Sequence, residues 1–188
     1  LYAVDIEEAK EEVRKNPDDA SAHFNLGKAY YELGKHQEAI ESFKQAIRID
    51  PDDALAHYNL GIAYYESGIL YKEAIEALKQ AIRIDPDYRD AHIALGYAYP
   101  TLGKYEEAIE ACKQAIKIDP DDADAHFNLG IAYGKSGKDK EEIESYKQAI
   151  RIDPDLAQAH FWLGFAYLQL NDRNSALEEY KILKSLDT

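Results

Sequence analysis

Five of the six histidines recur at fixed intervals, at His23, His57, His92, His126 and His160. Imidazole is the side chain best suited to hold a transition metal or to sense pH near neutrality. The intervals of 34, 35, 34 and 34 residues argue against both roles. One interval corresponds to one packed layer, and helical layers lie roughly 8–10 Å apart, too far for successive rings to share an ion. Each ring also stands three residues before a Leu-Gly pair, which points to a packing slot with locally satisfied nitrogens. The lone Cys112 occupies the place held by Phe43 and Tyr146 elsewhere in the pattern, so a buried, inert thiol is expected rather than a nucleophile. Carboxylates are plentiful but periodic, the mark of a solvated face. There is no Cys-His-Asp constellation, Gly-rich phosphate loop or metal-spaced cluster, so no catalytic residue, metal or cofactor is expected.

What remains is binding chemistry. Asn25, Asn59 and Asn128 recur at one place, interrupted by Ala94 and Trp162. An amide both donates and accepts, so such a row can grip the main chain of a peptide, or it can simply decorate a helix surface.

The elements that carry these residues follow from the repeats. AHFNLGKAYYELG begins at Ala22, and close copies begin at Ala56, Ala91, Ala125 and Ala159. Pro17, Pro51, Pro86, Pro120 and Pro154 break the chain once per period, and each is followed by an Asp (Asp18, Asp52, Asp87, Asp121, Asp155) able to cap the next helix. Gly34, Gly68, Gly103 and Gly137, with Asn171 in the last copy, fall where a left-handed residue ends a helix. Each period is therefore a pair of antiparallel helices, from about Ala20 to Leu33 and from Gln37 to Ile49 in the earliest complete copy. A unit this short cannot bury its apolar face alone, so the copies must stack.

Leu26-Gly27, Tyr30, Ala39, Phe43, Ala46 and Pro51 resemble the tetratricopeptide repeat pattern, and the later copies keep most of it. The resemblance implies an all-α fold, a right-handed superhelix of antiparallel helix pairs. It divides residues 1–188 into one array: a partial repeat helix at 4–16, then repeats at 20–53, 54–88, 89–122, 123–156 and 157–188. Ile6 and Val13 in the partial repeat match the offsets of Ile40 and Ile47 before a Pro.

Three departures stand out. Ile69-Leu70-Tyr71-Lys72 carries one extra residue, which must bulge a turn. Pro100 should end or kink its helix early. Glu142 replaces the Ala found at 39, 74, 108 and 176, so it should snorkel out or push the helices apart and make repeat four the loosest joint.

The second helix of a repeat is simply amphipathic, with Ala39, Ile40, Phe43, Ala46 and Ile47 opposed to Glu38, Glu41, Lys44, Gln45 and Arg48. The first helix has a further stripe beside its core residues: Phe24, Lys28 and Tyr31; Tyr58, Ile62 and Tyr65; Ile93 and Tyr97; Phe127 and Ile131; and Phe161, Phe165 and Leu168. In the tetratricopeptide family this face lines the concave groove. The resemblance therefore implies a peptide-binding channel built from this stripe, the Asn row and Trp162. Alternatively, these side chains seal adjacent repeats. The Asn row is similar to the ladder of O-linked N-acetylglucosamine transferases. The family's carboxylate clamp for chaperone tails is not expected, because Phe24, Lys28, Asp90 and Ala94 occupy its slots, although Asn59 matches.

A net charge of −14, from 22 Lys and Arg against 36 Asp and Glu, disfavours nucleic acid and anionic lipid and suits a partner with apolar and basic residues. No run of apolar residues is long enough to span a membrane, and a soluble, cytoplasmic protein is expected. The expected function is a non-enzymatic protein-interaction scaffold. Two alternatives are a homo-oligomer associating through the terminal helix, where Leu177, Leu183 and Leu186 lack a cap, as in magnetosome-associated members of the family, and the targeting region of a larger enzyme such as a glycosyltransferase.

Overall fold

The computed structural model describes residues 6–186; positions 4 and 5 of the expected partial repeat and 187 and 188 of the last one lie outside them. The described residues form eleven helices and no strand: α1 (Ile6–Lys15), α2 (Ala20–Glu32), α3 (His36–Ile49), α4 (Ala54–Glu66), α5 (Tyr71–Ile84), α6 (Arg89–Thr101), α7 (Tyr105–Ile118), α8 (Ala123–Lys135), α9 (Asp139–Ile152), α10 (Ala157–Gln169) and α11 (Arg173–Leu186). From α2 onward they pair as hairpins of a 13-residue and a 14-residue helix. Two compact units result, one up to Ala94 and one from Leu95.

The turns inside the hairpins are set by backbone chirality. Gly34, Gly68, Gly103 and Gly137 have φ between 69° and 77°, and Asn171 has φ 61°, the left-handed region that ends a helix. The extra residue of the second repeat is absorbed in its turn, where Ile69 is 81 % exposed while Leu70 packs inward.

The capping residue differs from the expected one by a single position. Asp19, Asp53 and Asp122 accept from the amides of Ser21, Ala56 and Ala125 at 2.9, 3.1 and 2.8 Å. The Asp after the Pro instead donates its backbone N–H in four repeats, Asp52, Asp87, Asp121 and Asp155 bonding the carboxylates of Asp50, Asp85, Asp119 and Asp153 at 3.1–3.3 Å. A left-over turn precedes each helix, so the second Asp is the one that reaches the bare amides. Pro100 does not shorten α6, which runs to Thr101. Sitting in the last turn, it removes one intrahelical bond and leaves few residues beyond it to displace.

In the first unit Ala39, Ile40 and Phe43 of α3 pack with Leu60 and Ala63 of α4 and Ala77 of α5, so the core is shared between neighbouring hairpins. In the second, Cys112 of α7 packs with Leu129 and Ala132 of α8, and Tyr146 of α9 with Leu163 of α10. Three glycines of the Leu-Gly pairs, Gly27, Gly61 and Gly130, each seat a large side chain of the partner helix. A Cβ on Gly27 would stand 2.7 Å from the Phe43 ring, and one on Gly130 would stand 2.5 Å from Tyr146.

Each repeated histidine closes its own repeat. The Nε2–H groups of His23, His57, His92, His126 and His160 donate to the carbonyls of Pro17, Pro51, Pro86, Pro120 and Pro154 at 2.9–3.1 Å. The ring thus bridges six residues, from the break to the first helix, and satisfies a carbonyl that no helix amide can reach. A second recurring contact joins neighbouring hairpins: Lys44 Nζ lies over the Tyr64 ring at 5.7 Å, Lys113 over Tyr133 at 5.9 Å and Lys147 over Tyr167 at 5.7 Å.

Candidate functional site

The stripe on the first helices has two characters. In the first unit its aromatic members are half-buried, and each leans on an internal ring. Phe24 meets Phe43 at 5.6 Å, Tyr31 meets His36 at 5.7 Å, Tyr58 meets Tyr88 at 5.2 Å and Tyr65 meets Tyr71 at 5.5 Å. Burial raises the phenol pKa of Tyr31, Tyr58 and Tyr65. Tyr88, which stands where other repeats have a capping Asp, is pushed up to about 12, chiefly by burial and then by the neighbouring Tyr58. Asn25, Ile62 and Ile93 are half-buried and Lys28 is exposed, as is Tyr97, which belongs to the second unit. Asn59 spends its amide N–H on the Leu55 carbonyl of its own helix at 2.8 Å, although its oxygen remains.

In the second unit the stripe splits. Phe127 and Asn128 are interior side chains rather than groove residues, 3 % and 2 % exposed. Phe127 packs on Tyr146 at 5.7 Å. Both the oxygen and the nitrogen of the Asn128 amide lack a protein partner, a costly state for a buried group. Ile131 is half-buried. By contrast α10 presents Phe161 (55 % exposed), Trp162, Phe165 and Leu168 (53 %) together. Spacings of one, three and three residues put them on one helical face. Trp162 stands edge-on to Phe161 at 5.6 Å and 88°, and to Phe165 at 5.8 Å and 82°. The rings support one another and still face water, an apolar platform with little rotamer freedom left to lose.

Beside this platform is a cavity of about 270 Å³ lined by α8, α9 and α10, reaching from Ile131 and Lys135 across Glu142 and Tyr146 to Trp162, Phe165 and Gln169. Glu142 is its unusual member. It neither snorkels out nor spreads the helices: it is 7 % exposed, and its carboxylate fills the space above Gly134. A Cβ on Gly134 would come within 2.5 Å of Glu142 Oε1. The glycine occupies the slot of Tyr31, Tyr65, Pro100 and Leu168, so repeat four has exchanged bulk between its two helices. Burial raises the carboxyl pKa; Asp139 adds to the rise, and a hydrogen bond from Tyr146 opposes it. Burial also pushes the Tyr146 phenol up. Sequence reasoning flagged Glu142 and placed Trp162 and Phe165 at the site, but missed Gly134, Lys135, Tyr146 and Gln169. The readable signal was the paired exchange at positions 134 and 142.

Elsewhere the chemistry is structural. Cys112 is fully buried under Gly96, and burial raises its thiol pKa to about 12. Among the described residues no group of three or more His, Cys, Asp or Glu is placed to hold a metal ion, and no helix is long and apolar enough to cross a membrane.

The chain resembles several solved structures. The crystal structure of MamA is 29 % identical, covers 86 % of this chain and 94 % of its own, and superposes with a TM-score of 0.79. MamA 41-end from Desulfovibrio magneticus RS-1 gives 0.82 at 24 % identity, over 89 % and 94 % of the two chains. YrrB, described as a TPR protein with an unusual peptide-binding site, gives 0.75 at 22 % identity, over 97 % and 93 %. The last two are likenesses of fold alone. No curated protein sequence matches the chain. A family model for the TPR repeat matches residues 27–68, 71–103, 98–137 and 135–171, and two tetratricopeptide repeat models match 9–41 and 157–187. Helix pairs, repeat pattern and models agree, and the chain belongs to the tetratricopeptide repeat family.

Proposed function

We propose that this protein is a non-enzymatic scaffold that binds a peptide or helix of a partner protein on the first-helix face, with its strongest anchor points on α10. One observation carries the reading: Phe161, Trp162, Phe165 and Leu168 are exposed together on one face, braced edge to face. Scattered apolar residues on a surface need no explanation, but a contiguous, preorganised aromatic patch marks an interaction site. The half-buried rings of the first unit, Phe24, Tyr31, Tyr58 and Tyr65, combine internal packing with a smaller contact surface, together with Asn25, Lys28, Asn59 and Ile62. In this reading Phe127 and Asn128 lie beneath the surface and shape it from below. The peptide-binding site in the name of YrrB, a protein of the same fold, is consistent with this use.

Peptides selected from a random library on the full chain test the proposal. Phe161→Ala and Phe165→Ala should each weaken a selected peptide by about 1–3 kcal/mol. Lys44→Glu and Arg48→Glu, on a second helix, should leave it nearly unchanged. The reverse pattern in folded variants refutes the reading.

A second reading rests on α11, where Leu177 and Tyr180 are exposed and Leu183 and Leu186 half-buried. This face suits association with a second copy. Sedimentation velocity should then show a dimer that Leu177→Lys with Tyr180→Lys converts to monomer, and a wild-type chain that stays monomeric at high concentration removes the idea.

A further inference from the structure

We infer that the cavity between α8, α9 and α10 receives a single basic side chain, Lys or Arg, of the bound partner. In this arrangement the cationic head meets the Glu142 carboxylate and the aliphatic stem crosses the Trp162 and Phe165 rings. This inference rests on the reading of the first-helix face as a peptide site, and it names the chemistry of one pocket within it.

The argument starts from what the pocket would do to each class of side chain. At about 270 Å³ it lies just below the range of whole small-molecule sites and suits one side chain. An apolar guest would satisfy the rings but leave a desolvated carboxylate facing hydrocarbon, which is costly unless the acid stays protonated. An acidic guest would meet both Glu142 and Asp139, the charged group that acts on it from its own helix. A cation resolves both problems, because it pairs with the carboxylate in a poorly hydrated space and places its charge beside two aromatic rings, where attraction to the ring quadrupole adds to the ion pair.

The surroundings are otherwise short of positive charge. The face of α10 supplies Trp162, Phe165 and Gln169, all uncharged, and α9 supplies Tyr146 and Asp139. Lys135, at the end of α8, is the cation among the lining residues, and it is exposed. It stands at the mouth and opposes an incoming cation, so its removal has the opposite sign from removal of Glu142. The chain's net charge of −14 favours approach of a basic partner at long range. The pocket adds selectivity at contact distance.

The test uses the full chain at pH 8 in 0.15 M salt, with Nα-acetyl-arginine methylamide as probe and its neutral isostere Nα-acetyl-citrulline methylamide as control. Trp162 is the only tryptophan, so its emission and its indole N–H resonance report the pocket directly. The arginine compound should shift both signals saturably and bind at least tenfold more tightly than citrulline. Glu142→Gln, nearly isosteric and safe for the fold, should abolish that preference. Lys135→Gln should strengthen arginine binding two- to fivefold, and Glu144→Gln, exposed on the same helix, should leave it unchanged. Equal responses to the two probes, no response to either, or full retention of arginine binding by Glu142→Gln overturns the inference. The groove reading has its own test in the library peptides. If Phe161→Ala and Phe165→Ala weaken those peptides while the arginine probe fails, only the pocket chemistry is wrong.

Discussion

The exchange of bulk between Gly134 and Glu142 predicts a strong energetic coupling. Leu168 shows what the first-helix slot carries when its second-helix partner is the alanine Ala176. With Glu142 present, a side chain at position 134 starts with its Cβ 2.5 Å from Oε1 and 2.6 Å from the carboxyl carbon. Both separations are well inside contact, and the carboxylate must leave its seat. Overpacking of this kind costs about 1–3 kcal/mol, and replacing a helical glycine returns about 0.8 kcal/mol, so Gly134→Leu alone should destabilise by up to about 2 kcal/mol. Glu142→Ala removes a desolvated acid but opens a hole above the glycine, two effects that nearly cancel to within about 1 kcal/mol. Together the substitutions restore the pairing found in the last repeat, and the double variant should be at least as stable as the wild type. The coupling is then up to about 2 kcal/mol, against the few tenths typical of independent sites. Urea denaturation followed by circular dichroism and Trp162 emission, completed for all four members of the cycle, measures it. Additive effects would show that Glu142 moves aside without cost and that the two positions do not compete for space.

Glu142 also predicts a pH dependence. Its folded pKa lies above the ordinary 4.5, so the folded state holds the proton more tightly, and stability relative to Glu142→Gln should fall as pH rises from 4.5 through the raised value. A flat difference between the two urea midpoints across that window contradicts the burial argument. His57→Phe keeps the ring's bulk but loses the bond to Pro51, and it should cost about 1 kcal/mol in the same assay; an unchanged midpoint would show that the bond is dispensable. Cys112, buried with its thiol pKa raised to about 12, should resist a water-soluble disulfide reagent at pH 8 until urea unfolds the chain, and rapid labelling of native protein would refute its placement.

Much of the fold was legible because its signals are local and repeated. A Pro-Asp break followed by a left-handed Gly, or Asn171 in the last copy, specifies a hairpin within about 30 residues, and the structure follows it in every repeat. The finer assignments failed where a neighbour in space decides the outcome. Asp18 and Asp19 are equivalent by composition, and only the path of the turn selects Asp19 as the cap. Glu142 looked like a defect when compared with the alanines above and below it in the pattern, but its partner lies across the hairpin at Gly134, eight positions earlier. At the site, Phe127 and Phe161 hold the same place in their repeats, and one is interior while the other is open. Tyr146 covers Phe127 from the adjoining helix, a contact that the repeat register alone does not reveal.

The histidine-to-proline bonds bear on how the spacing of the repeats is held. All five rings donate through Nε2, so adding a proton at Nδ1 leaves each donor in place. A residue usually associated with switching is thereby wired as a fixed fastening between each break and its first helix. His160 is wired differently, because its Nδ1 also lies 2.6 Å from Oε2 of Glu179 in a nearly dry pair. That second contact ties α10 to α11. The final hairpin is therefore pinned helix to helix through its histidine, and it is also the hairpin that carries the exposed aromatic platform.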